Sequence, residues 1–141
     1  MRSIICLAAQ GVIRNAEDNN ISVFNILEGI TVEGFPLYIP QVTFFVLLER
    51  TLAEEGHVVG HFAATLSGRN IHELDVDINF QGQLRNRVIM SIRGLVLPNP
   101  GTLSFSLTFP TGLSANYVVE ANAVAGAEAQ ASPSLPPQAN A

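Results

Sequence analysis

Thr102-Leu103-Ser104-Phe105-Ser106-Leu107-Thr108-Phe109 is the stretch whose reading decides the fold. Leu103, Phe105, Leu107 and Phe109 recur at every second position, with small hydroxyl residues between them. That is the period of a strand with one face in a core and the other in water. The same alternation runs upstream, where Leu74, Val76, Ile78 and Phe80 share one face and Asp75, Asp77 and Asn79 the other.

Turn-forming clusters break the alternation at short intervals. Asn15 to Asn20 separates a first strand, Arg2 to Ile13, from a second, Ile21 to Val32, and predicts a hairpin. Glu33 to Pro40, with Gly34, Pro36 and Pro40, leads into a third, Gln41 to Leu52. A fourth, His57 to Leu66, is bracketed by Glu54-Glu55-Gly56 and Ser67-Gly68-Arg69-Asn70. A fifth, Ile71 to Phe80, and a sixth, Arg87 to Leu97, flank Gln81 to Asn86. Pro98-Asn99-Pro100-Gly101 turns into the seventh, and Pro110-Thr111-Gly112 precedes an eighth, Leu113 to Ala123. No window carries a sustained helical period, so parallel βαβ units are not expected. The fold expected is all-β: an antiparallel β-sandwich of about eight strands, Ig-like or jelly-roll-like, formed by residues 1–123. Residues 124–141, rich in Ala, Pro, Ser and Gln, lack the apolar side chains that offset ordering entropy and are expected to form a disordered tail.

Composition narrows the function classes. The chain has 141 residues, enough for one domain with its own core, and 13 % of them are charged. All seven basic residues are arginines, and against twelve acids they leave a net charge of -5. A surface that tracks phosphates needs clustered cations, so nucleic acid is not an expected partner. Ser3 to Ala9 is apolar but shorter than a signal-peptide core and passes into Gln10-Gly11-Val12-Ile13, so it is read as the first strand. No run approaches a membrane span, and a cytoplasmic, non-membrane protein is expected. Cys6 is the single cysteine, which excludes an internal disulfide and fits a small buried hydrophobe.

Chemistry-bearing patterns are sparse. His57 and His61 stand four apart, but along a strand that spacing is about 13 Å, too far for one metal ion. Asp75 and Asp77 share a strand face about 6.6 Å apart, and a solvated outer face accounts for them better than calcium, which wants six or more oxygens. No Gly-x-Ser-x-Gly elbow, phosphate loop or tryptophan platform is present. No catalytic residue, metal ligand or cofactor is assigned.

One segment resists the two-layer pattern. In Val42-Thr43-Phe44-Phe45-Val46-Leu47-Leu48 both faces are apolar, Val42, Phe44, Val46 and Leu48 on one and Thr43, Phe45 and Leu47 on the other. Either a loop or the tail covers the second face within the monomer, or Thr43, Phe45 and Leu47 form a protein interface, because exposed apolar patches of that size mark interaction sites.

The segment Asn25-Ile26-Leu27-Glu28-Gly29-Ile30, then Phe35-Pro36, Ile39-Pro40 and Leu47-Leu48-Glu49-Arg50, resembles a bacterial family of small uncharacterised proteins, a domain of unknown function. Gly94 to Phe105, with its Leu-Pro, Pro-Gly turn and alternating strand, is similar to the same family. The resemblance implies a β-sandwich and no known activity. Asn25 and Glu28-Gly29 interrupt alternation in the second strand as a bulge does. A ligand-contact role is the other reading of Asn25, Glu28 and Gln41. The function expected is a non-catalytic module acting through protein contacts, by self-association or partner binding. The alternative is a small-ligand-binding sandwich or hydrolase with a pocket at one loop end, near Glu33 to Pro40 and Pro98 to Gly101.

Overall fold

The computed structural model describes residues 1–124, and the expected tail from residue 125 onward lies outside them. Nine strands form two packed sheets. They are β1 (Arg2–Arg14), β2 (Ile21–Ile26), β3 (Ile30–Val32), β4 (Leu37–Glu49), β5 (His57–Leu66), β6 (Arg69–Asn79), β7 (Arg85–Leu97), β8 (Gly101–Thr108) and β9 (Ser114–Ala123). One sheet has the order β2-β1-β4-β7 and the other β3-β9-β8-β5-β6. The β-sandwich expected from the alternation is the fold.

The alternating side chains meet between the layers. Phe44 and Val46 of β4 face Phe62 of β5 and Phe105 of β8, with ring centroids 5.4 Å from Phe44 to Phe62 and 5.9 Å from Phe44 to Phe105. Each such side chain contributes about 1.5–3 kcal/mol of burial, so Leu103, Phe105, Leu107 and Phe109 hold β8 to the core as their spacing required. Gly60 lies beneath this cluster, where a Cβ would stand 2.9 Å from both Leu107 and Phe109.

Three departures from the sequence reading have physical causes. The expected second strand, Ile21 to Val32, is two strands in different sheets, which raises the count from eight to nine. The interruption at Leu27 to Gly29 is therefore a crossing between layers and not a bulge within one. Leu27 N donates to Ala8 O at 2.8 Å in one sheet, while Tyr117 Oη of the other donates to Leu27 O at 2.7 Å. Once across, β3 pairs with β9 in parallel, so one pair departs from the antiparallel pattern.

The expected third strand begins earlier and ends sooner, at Leu37 and Glu49. Pro40 is accommodated because β1 pairs only with Thr43 to Glu49, so the proline sits where β4 has β7 alone as a neighbour. There Pro40 lies level with Gly94, whose φ is +72°. The pairing keeps its register across this point, yet the core residues change parity from Val88 and Ile92 to Leu95 and Leu97. Glycine supplies the left-handed residue that this exchange of faces needs. At the other end of β4, buried Arg50 stops the strand. Its guanidinium donates to Gln83 O at 3.0 Å, Glu54 O at 3.1 Å and Thr51 O at 3.3 Å, and lies 5.4 Å from the Phe80 ring centroid.

Candidate functional site

The outer face of the four-stranded sheet shows what covers the second apolar side of β4. The pairing puts Ile5 beside Leu47, Leu7 beside Phe45 and Ala9 beside Thr43. β1 is thus doubly apolar as well. Beyond Ala9 it leaves β4 and continues only with β2. The β1–β2 hairpin reaches back across this face, because Ile21 and Val23 of β2 line the same groove as Leu7, Phe45 and Leu47. At its tip, Arg87 Nη1 of β7 donates to Asn19 Oδ1 at 3.4 Å.

Two of the three residues expected at an interface are consequently buried in the monomer. Thr43 is 1 % exposed, with its hydroxyl 3.2 Å from Ser91 Oγ, and Phe45 is 4 % exposed. Leu47 is half-buried in the groove floor. What stays open is a groove of about 1010 Å³ between hairpin and sheet. Its apolar floor continues into residues that the sequence reading missed, Ile5 at 40 % and Leu84 at 45 % exposure, with Ile89 at 43 % next to Phe45 on β7. The apolar run Ile4 to Ala9 was the signal that could have found Ile5; Leu84 and Ile89 are brought to the groove by the pairing of β7 with β4.

The rim is charged. Glu49 accepts from Arg2 Nε at 2.9 Å and Arg85 Nε at 3.0 Å, and these two guanidinium groups hold its carboxyl below the usual range. Arg87, two residues on, meets no carboxylate among the described residues.

A second cleft, of about 550 Å³, brings together Asn25 and Gln41, with Gln10, Phe24, Ile26 and Ile39. Asn25 has a left-handed backbone, φ 56°, and its side-chain amide donates to Gln10 Oε1. Glu28 does not line this cleft. It is exposed, on the side of Tyr117, whose hydroxyl is pushed up first by burial and then by the Glu28 charge. The loop ends named in the alternative meet at one end of the β4–β7 pair, where Leu37 lies opposite Leu97, but they line different clefts: Ile39 and Pro40 belong to the Asn25 cleft, whereas Pro98 to Pro100 line a small one of about 140 Å³.

His57 and His61 meet the acids of β6 on the outer face of β5 and β6. His57 pairs with Asp77, while His61 holds Asp75 at 2.9 Å through Nδ1 and Glu73 at 3.1 Å through Nε2. Asp75 first, then Glu73, raises the His61 pKa above its usual value. With a carboxylate on each nitrogen, both ring N–H groups donate and the imidazolium is favoured. Among the described residues no group of three or more His, Cys, Asp or Glu is arranged to hold a metal ion. Cys6 is half-buried, and burial pushes its thiol up to about 11, which leaves it a poor nucleophile near neutral pH. No described helix is long and apolar enough to cross a membrane.

The fold and these surfaces define a β-sandwich domain with grooves on its sheet faces. The chain belongs to the family of unknown function DUF6941, whose model matches residues 4–114. No curated protein and no solved structure matches it.

Proposed function

We propose that this protein is a non-catalytic module that works through protein contacts, made at the groove between the β1–β2 hairpin and the sheet and along its β7 rim. One observation carries the reading: an apolar floor of Leu7, Phe45 and Leu47 runs beneath the rim residue Arg87, a guanidinium that meets no carboxylate among the described residues. The complementary occupant is a segment of a partner protein that brings apolar side chains and a carboxylate, since a charge at the rim selects partners while the buried apolar contact supplies affinity. The same reading sets the chain in a bacterial cytoplasm, which a lone, poorly reactive cysteine suits.

Selection from a random-peptide display library tests it. Enriched peptides should carry an acidic residue beside apolar ones and should lose binding to the Leu84→Asp variant, whose substitution lies at an exposed site. No enrichment, or binding unaffected by Leu84→Asp, would count against the reading.

The Asn25 and Gln41 cleft favours a second reading, a small polar ligand held by side-chain amides against apolar walls. Its lining offers no nucleophile with an adjacent base, so binding suits it better than hydrolysis.

A further inference from the structure

Among the described residues the two sheets present free edges on the same side of the sandwich. β6 closes one sheet and β7 the other. Asn86 Nδ2 donates to Asn79 O at 2.8 Å where one strand gives way to the next, so the end of β6 and the start of β7 lie at one height. From there the strands diverge, and a cleft of about 450 Å³ opens between Ile71 and His72 on β6 and Ile92 to Val96 on β7. The edges are 11 and 13 residues long, well beyond the short edge strands by which monomers avoid pairing.

Charge is sorted between them. β7 carries Arg85, Arg87 and Arg93 and no acid, whereas β6 carries Glu73, Asp75 and Asp77 against one arginine, Arg69. Two copies of β6 laid together would oppose acid to acid, and two copies of β7 arginine to arginine. Only unlike edges are complementary.

We propose that the partner at the β7 rim is a second copy of this chain, each protomer's β6 edge pairing antiparallel with the other's β7 about a two-fold axis parallel to the strands. The proposal rests on the protein-contact reading above and names its partner. Because β6 and β7 run in opposite directions within one chain, that axis makes both new pairs antiparallel and joins outer face to outer face. Each sheet then continues into the other protomer's, and the contact is isologous, as closed dimers require. Asn79 and Asn86 share a height, which brings Asp77 level with the partner's Val88. Val88 faces the core, and since antiparallel partners share a face the strands settle one residue away, where charge selects the register that sets Asp77 against the partner's Arg87, with Asp75 within diagonal reach. Asp77 then lies between His57 on its own sheet and the guanidinium that meets no carboxylate among the described residues of its own chain.

Sedimentation equilibrium from about 1 to 100 µM, on the full chain, reads the association, the upper limit marking contacts weaker than about 5 kcal/mol. The wild type should reach dimer mass. Asp77→Arg and Arg87→Asp should each weaken association about tenfold or more, and the double variant should return to within about threefold of the wild type. Circular dichroism checks that each variant is folded; Asp75→Arg serves if Asp77→Arg is not. A wild type that stays monomeric, or a dimer indifferent to both single reversals, overturns the proposal. Display-selected peptides would still bind a monomer and lose binding to Leu84→Asp if only the identity of the partner is wrong. Their failure would instead remove the protein-contact reading itself.

Discussion

Arg87 on the edge strand β7 donates to Asn19 in the β1–β2 turn, 3.4 Å away and 68 residues distant in sequence. This bond ties the hairpin tip over the face that carries Thr43, Phe45 and Leu47. Asn19→Ala should therefore loosen the hairpin without unfolding the sandwich. Amide exchange at Ile21 to Val23 should quicken while exchange in β8 is unchanged, with global stability falling by about 1 kcal/mol or less. Hydrogen exchange resolved by residue reads both.

Burial should decide the cost of a charge at the groove. At Phe45, which the monomer buries, Phe45→Glu should lose about 4 kcal/mol or more, because a carboxylate there has neither water nor a partner. Leu84→Asp, at an exposed site, should stay within about 0.5 kcal/mol of the wild type. Urea unfolding of the two variants separates them.

Much of this architecture is legible in the sequence, and the limits are instructive. Alternation placed Leu103 to Phe109 correctly, and Ile78 and Phe80 with Val76 partly buried, because in a sandwich the local period and the burial pattern are one fact; Leu74, on the same face but towards the other end of the edge strand β6, is exposed. The bounds of β5, His57 to Leu66, were fixed by their turns, and Ser67 and Gly68 close the β5–β6 hairpin with φ 50° and 82°. The crossing at Leu27 was not legible. Period two cannot distinguish a bulge from a change of sheet, and the deciding partner, Tyr117, is 90 residues away. The groove was half legible: two doubly apolar segments, Ile4 to Ala9 and Val42 to Leu48, stood in the sequence, but only pairing shows that Ile5 lies beside Leu47 and Leu7 beside Phe45.

Tyr117→Phe should destabilise the protein by about 1 kcal/mol, the usual worth of one hydrogen bond, and quicken amide exchange around the β2–β3 crossing. Equal exchange rates in the two proteins at Leu27 to Val32 would argue that the contact with β1 holds the crossing alone.

The pH dependence has a sign. His61 has a raised pKa in the folded chain, so its contribution is fully present below the ordinary value of 6.5 and is lost as pH rises through the raised one. Stability should fall from pH 6 toward pH 8, and His61→Gln should flatten that slope. Glu49 acts oppositely. Arg2 and then Arg85 lower its pKa, so its contribution is present above the ordinary 4.5 and is lost as pH falls through the lowered value. Denaturant midpoints across the pH range, with the His61 ring followed by NMR, test both.

The protein-contact reading is tested most directly by methyl NMR of the chain with a display-selected peptide. The groove account expects shifts at Ile5, Ile21, Leu47 and Leu84, with Ile26 and Ile39 of the Asn25 cleft unmoved. Shifts confined to Ile26 and Ile39, or none at any methyl, would contradict it.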